Sequence, residues 1–336
     1  MAQRLTWIDN LKAYGIILVV IGHSIVLSAD YAYTGLLMKL IYSFHMPLFF
    51  FISGFLFRGK GTGNYFYKKW KTLLVPYFVF QIISVVFINS FYYVTTGQLE
   101  RDPLSTLLSI FYLNGSVGWN APLWFLVVLF ILDVLYYFFS KWSKRTGIQM
   151  LLVLLSCIVG WLLSETGIKF PFGLQIVFSC FLFYYLGNMT KKYKVLKLLS
   201  RNLGVYTLIV TLAGSFLVGS MFWLNGSRLV SMYDNYFGTN YVLFVLTALS
   251  GIVFSVLLFQ MVQETGIFTI FGKEAIILLG TQYFVLLGFD TVCRMIGIYS
   301  PVVYYLIIKV VFIVAGYMMS LYIWERIRSR REVVMK

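Results

Sequence analysis

The chain has 336 residues, of which 60% are hydrophobic and only 12% charged, against roughly 45–50% apolar for a soluble domain. A soluble fold of this length cannot bury so much apolar surface and still cover its exterior, so composition excludes one and predicts an integral membrane protein. The net charge of +15 is explained by loop charges that set membrane orientation, and nucleic-acid binding is not expected.

Apolar runs bounded by charge or by Gly, Pro and Asn predict ten spans. They lie near residues 11–28, 36–57, 73–93, 122–139, 148–164, 172–189, 203–224, 241–261, 275–293 and 301–323. At about 20 residues each they take up about 200 residues. No sizeable soluble domain fits in the remainder, so a single transmembrane domain over 1–336 is expected.

The first run lacks a small-residue cleavage site after a short apolar core and is expected to be retained as a helix. It carries His23, with Lys12 eleven residues earlier. That separation closes to within about 20° of one helix face, with a rise of roughly 16 Å. Gly22 would let another helix or a ligand approach closely. The second run carries His45, about nine residues from its outer end, and His23 lies about five from its own. The two imidazoles are therefore expected at similar depths on neighbouring helices. Pro47 and Gly54 are expected to interrupt the second helix, with Pro47 freeing a carbonyl. These are the chain's two histidines. Ionisable groups at membrane depth are costly, which makes both functional candidates. The competing reading is a hydrogen bond across a helix interface.

Further along, Asp133 in the fourth span is expected to pair with a basic group. The spans near 148 and 172 are short enough to tilt, pair or re-enter. Lys39 and Lys309 are expected to snorkel to the outer interface, the alternative being the lining of an outer vestibule. Tyr92, Tyr93, Tyr112, Trp119, Trp124 and Tyr299 read as an outer aromatic belt, and the tryptophans would also suit stacking on a sugar. Cys157, Cys180 and Cys293 match no metal-site spacing or disulfide framework and read as small core residues. The tripeptides at Asn114, Asn188 and Asn225 fit a glycosylation pattern common by chance. No P-loop, HExxH or GxSxG is present, which argues against an ATPase, a zinc protease and a serine hydrolase. No internal repeat is evident, which weakens an inverted-repeat transporter.

Placing the N-terminus in the cytoplasm puts 21 of the 27 basic residues on that side. They are Arg4, Lys12, Arg58, Lys60, Lys68, Lys69, Lys71, Lys141, Lys144, Arg145, Lys191, Lys192, Lys194, Lys197, Arg201, Lys273, Arg326, Arg328, Arg330, Arg331 and Lys336. Arg101, Lys169, Arg228 and Arg294 lie opposite. The expected fold is an all-α, polytopic transmembrane helical bundle of about ten helices with both termini cytoplasmic. Anionic lipid headgroups would meet the basic side.

The stretch Arg4-Leu-Thr-Trp-Ile-Asp9-Asn-Leu-Lys12, followed by ten residues and His23, resembles the opening signature of the acyltransferase 3 family. Phe44 to Phe55, an aromatic run containing His45-Met46-Pro47-Leu48-Phe49 and ending in Ser53-Gly54-Phe55, looks like the family's second-helix motif. The His-Met-Pro-Leu-Phe variant is similar to the fucose 4-O-acetylase-like branch. Tyr67-Lys68-Lys69-Trp70-Lys71 leading to Pro76-Tyr77 resembles its basic loop, and Pro122-Leu123-Trp124-Phe125-Leu126 its Trp-Phe-Leu motif. The specific motifs lie within residues 4–126. Two departures stand out. Lys12 occupies the place of a frequent Arg, keeping charge but losing the bidentate fork. No Glu follows Trp124, so that residue's role does not transfer.

The resemblance implies a membrane O-acyltransferase, an O-acetyltransferase by preference, in the bacterial cytoplasmic membrane. It would take the acyl group from cytoplasmic acyl-CoA, acetyl-CoA serving as co-substrate with no permanently bound cofactor or metal. The acceptor would be a hydroxyl of a cell-envelope glycan or lipid-linked sugar. Arg58, Lys68, Lys69 and Lys71 would bind the CoA phosphates, with Lys12 nearby. His23 would be general base on the acceptor hydroxyl, with a transient acyl-His as the rival role. His45 or Ser53 would orient the acceptor or stabilise the oxyanion, and Trp124 is the sugar-stacking candidate. A transporter or flippase for a sugar or lipid could use the same polar groups without covalent chemistry, and an accessory subunit could use them structurally. Assembly into a homo-oligomer is open.

Overall fold

The computed structural model describes residues 5–28, 31–59, 62–99, 101–142, 145–226, 228–262, 266–300 and 303–334. Arg4, Lys60, Lys144, Ser227 and Lys336 lie outside them, as do the side chains of Arg326, Arg328, Arg330 and Arg331. Among the described residues the fold is all-α, with a lone bridge between Ser231 and Tyr236. Ten helical segments among the described residues are long and apolar enough to cross a membrane, one for each predicted span.

The long helices are α1 (Thr6–Ser28), α2 (Tyr31–Leu56), α3 (Val75–Thr96), α4 (Trp124–Trp142), α5 (Thr146–Thr166), α6 (Leu174–Lys192), α7 (Leu203–Leu224), α8 (Tyr241–Met261), α9 (Ala275–Met295) and α10 (Val303–Val334). The two spans read as short are full-length, and α5 packs against α6. Ser156 Oγ donates to the Phe178 carbonyl at 2.9 Å. A Cβ on Gly160 would lie 2.4 Å from Ser179 Oγ. Spans α1, α2, α4 and α6 bury more than half of their most apolar stretch, whereas α5, α7 and α10 leave most of theirs exposed. An apolar helix that buries so little is suited to face lipid.

The chain divides into two compact units. One comprises residues 1–49, 197–229 and 243–336, and so holds α1, most of α2, α7, nearly all of α8, α9, α10 and a short helix, Ile267–Lys273. Here α1 and α2 run antiparallel in a fixed register. A Cβ on Gly15 would meet Phe49 Cζ at 2.7 Å, one on Gly22 would meet Tyr42 Cε2 at 3.0 Å, and Ile25 shares a buried cluster with Met38. Glycine at 15 and 22 leaves room for these aromatic rings.

The other unit comprises residues 50–196 and 230–242, with the end of α2, helix Thr62–Lys69, α3, helix Pro103–Ile110 and α4 to α6. Helix α2 runs unbroken from Tyr31 to Leu56 with Pro47 inside it, so neither Pro47 nor Gly54 interrupts it. Gly54 instead permits a close crossing. A Cβ there would lie 1.9 Å from the Tyr184 carbonyl oxygen, and one on Gly187 2.0 Å from that of Phe51. The last carbonyls of a helix need donors from outside it. Asn188 Nδ2 reaches the Gly54 oxygen at 3.4 Å, and Lys191 Nζ reaches that of Phe57 at 3.2 Å.

Candidate functional site

The first unit gathers both histidines. Helix α1 is continuous, so Lys12 and His23 keep the single stripe that their spacing predicts. Register with α2 sets position 23 opposite position 41. His45 therefore lies about one turn, roughly 6 Å, closer to the Lys12 end than His23 does. The rings are near enough to act on each other electrostatically, and Tyr42, beside Gly22, meets His45 edge-on at 5.1 Å.

His45 is buried, and its Nδ1 lies 2.7 Å from the Ile41 carbonyl oxygen, one turn back on α2. A carbonyl oxygen only accepts, so Nδ1 carries the proton and Nε2 keeps its lone pair. His23 is partly accessible. Its Nδ1 lies 3.2 Å from the hydroxyl of Tyr283 on α9, and the two rings meet edge-on at 5.1 Å and 77°. Residues 260 positions apart are thus in direct contact. The sequence reading missed Tyr283, although a tyrosine at mid-span is a visible polar signal.

At the far end of the same stripe, Lys12 Nζ stands 3.6 Å from Asp9 Oδ1, and Asp9 is buried. Asn10 ties this end of α1 to the segment after α8. Its Nδ2 donates to the Val262 carbonyl at 3.3 Å, and its Oδ1 accepts from Thr269 Oγ1 at 2.8 Å. Gly272 lets the backbone press close, since a Cβ there would lie 1.7 Å from the Asp9 carbonyl oxygen. The Trp-Ile-Asp-Asn-Leu-Lys stretch is thereby a packing and ion-pairing motif as well as the base of the histidine stripe.

The second unit carries the basic segment. Helix Thr62–Lys69 passes into a π-helical turn, Trp70–Leu74, and then into α3. Pro76 has no N–H for the Thr72 carbonyl, and the turn before it widens, with Val75 N–H bonding the Trp70 carbonyl. Lys68 and Lys71 are exposed, as is Arg58. Lys69 differs from them. Its Nζ lies 2.7 Å from Asp133 Oδ2, and Asp133 is fully buried. The other oxygen of Asp133 accepts from Tyr65 at 3.3 Å and from Tyr184. Asp133 has the basic partner its sequence position predicts, and Lys69 directs its ammonium inward. Arg58 lies within electrostatic range of Lys191, a like charge.

Several expectations change. Lys309 does not snorkel; it is fully buried and pairs with Asp290 at 2.6 Å. Trp124 is 6% exposed and packs among Phe50, Phe125 and Tyr233. In this conformation it offers no open face for a sugar. Tyr112 is wholly buried and takes no part in an interfacial belt, whereas Tyr92 and Tyr93 are exposed. Ser53 is half-buried. Cys180 and Cys293 are buried and Cys157 partly so; all three are free thiols. Lys12, His23 and His45 belong to the first unit, and Ser53, Arg58, Lys68, Lys69, Lys71 and Trp124 to the second.

A family model described as an acyltransferase domain, that of acyltransferase 3, matches residues 5–321. Comparison with curated proteins and with solved structures returned no match.

Proposed function

The chain belongs to the acyltransferase 3 family and is a multi-pass membrane acyltransferase, and from that premise we propose that it moves an acetyl group from cytoplasmic acetyl-CoA to a hydroxyl of a cell-envelope glycan or lipid-linked sugar. The membrane would be the bacterial cytoplasmic membrane, with both termini inside, the placement that puts most of the basic residues on the cytoplasmic side.

In this reading the exposed cations Arg58, Lys68 and Lys71 meet the CoA phosphates. Lys69, held by Asp133, fixes the segment that presents them. His23 is the general base. Its unprotonated nitrogen takes the proton of the acceptor hydroxyl as that oxygen attacks the thioester carbonyl. The new C–O bond forms, the C–S bond breaks, and the departing CoA thiolate recovers the proton from His23. His45, with its Nδ1 proton engaged by Ile41, stands one turn away to accept from the acceptor or its neighbours through Nε2. Lys12, balanced by Asp9, marks the donor end of the stripe.

The observation that carries the proposal is the partly accessible His23 imidazole, held on one nitrogen and set beside a second histidine at membrane depth. The test is thiol release from acetyl-CoA in the presence of acceptor by the purified protein in nanodiscs. His23→Ala should lower kcat by roughly 100- to 10,000-fold while the protein stays folded. Full transfer by a folded His23→Ala variant would overturn the assignment.

A further inference from the structure

We propose that Tyr283 is the positioning residue for His23, its hydroxyl oxygen accepting a hydrogen bond from Nδ1–H and so fixing the tautomer in which Nε2 is the base. The inference rests on the function proposed above and adds to it a residue from α9, far outside the stretch that carries the sequence motifs.

Three observations support it. Nδ1 of His23 is within hydrogen-bond distance of the Tyr283 hydroxyl, at 3.2 Å. The edge-on contact of the two rings, at 77°, opposes rotation of the imidazole about its own axis. Tyr283 is itself buried, so packing holds its ring and hydroxyl in place beside His23. A neutral imidazole has one protonated and one unprotonated nitrogen, and the bond made by one decides the role of the other. With Nδ1 turned to Tyr283, Nε2 is the nitrogen left to take a proton. When Nε2 takes the acceptor proton the ring becomes imidazolium, and the Nδ1–H bond to the phenol oxygen strengthens because its donor is now charged. Tyr283 touches neither donor nor acceptor. It acts through His23, as the third member of a hydrolytic triad acts through its histidine, but without a carboxylate.

The chain's two histidines make the test direct. Uniformly ¹⁵N-histidine-labelled protein in nanodiscs gives four ring nitrogens, and His45→Asn assigns them. His23 should show a protonated Nδ1 and an unprotonated Nε2. Tyr283→Phe removes one oxygen and keeps the ring. It should let the Nε2–H tautomer of His23 appear and lower kcat by roughly 10- to 100-fold, part of what a general base contributes, with KM for acetyl-CoA held within about twofold. A His23 protonated on Nε2 in the wild-type protein overturns the proposal, and that spectrum needs no variant of Tyr283 to fold. Wild-type kcat in Tyr283→Phe, with His23→Ala inactive, overturns the role of Tyr283 alone. An active His23→Ala overturns the function reading and leaves the tautomer result standing.

Discussion

Lys309 on α10 and Asp290 on α9 form an ion pair of 2.6 Å in which the lysine is wholly buried. Tyr305 completes the set, its hydroxyl donating to the other Asp290 oxygen at 2.8 Å. Removing one member of such a pair leaves a buried charge without its counter-charge, which costs about 3–5 kcal/mol, whereas replacing both by apolar groups is often neutral. Lys309→Met should therefore unfold at markedly lower temperature in detergent, and Asp290→Leu/Lys309→Met should recover most of the loss. Equal stability of the single variant and the wild type would show that the pair contributes nothing.

The crossing at Gly54 and Gly187 predicts a steric limit. A methyl group at either position would overlap a backbone carbonyl oxygen, at 1.9 and 2.0 Å, and backbone cannot move aside as a side-chain tip can. Gly54→Ala and Gly187→Ala should each destabilise by about 1–3 kcal/mol or more and reduce the monodisperse fraction on size-exclusion chromatography. Gly219→Ala, which meets no atom within 4 Å, should be neutral or mildly stabilising because it favours helix.

The basic segment separates two kinds of lysine. Lys68→Gln and Lys71→Gln should each raise KM for acetyl-CoA by roughly 1.5- to 5-fold, the worth of an exposed charge contact of about 0.2–1 kcal/mol. Their effect should fade with added salt, with thermal stability unchanged. Lys69→Met should instead lower the melting temperature, since it strands the buried Asp133 carboxylate. A Lys69→Met protein of native stability with a raised KM would return Lys69 to phosphate binding.

Lys12 and Asp9 yield a prediction about the motif itself. Lys12→Arg keeps a cation within reach of Asp9 and should retain activity. Lys12→Met removes the cation at 3.6 Å from a buried carboxylate and should lower folded yield; adding Asp9→Asn to it should restore yield. Failure of the second change to restore yield would assign Lys12 a role other than balancing Asp9.

Much of this was legible in order of residues. Span number, the Lys12–His23 stripe and the need of Asp133 for a cation all follow from local spacing and the expense of charge in hydrocarbon. The similar depth of His23 and His45 follows from counting residues to helix ends, to within about one turn. The reading failed where a residue's meaning depended on what lies across from it. Pro47 looked like a break, but α2 continues through it. Gly54 looked like a break too, but its use is to admit the backbone of α6. Lys309 resembled an interfacial lysine. The clue was Asp290, which sits five residues from the end of α9 as Lys309 sits six from the start of α10, at nearly matching depth.

By itself the sequence determined that this is a membrane-spanning helical chain with two histidines inside its apolar spans, because hydrophobic run length and local periodicity are properties of consecutive residues. Only the tertiary structure decided that His23 is held by Tyr283, that His45 turns its Nδ1 proton to its own helix, that Lys69 turns inward to Asp133, and that Lys309 is sealed against Asp290. Those are contacts between helices or choices of side-chain direction, and they are set by which faces of the helices pack together.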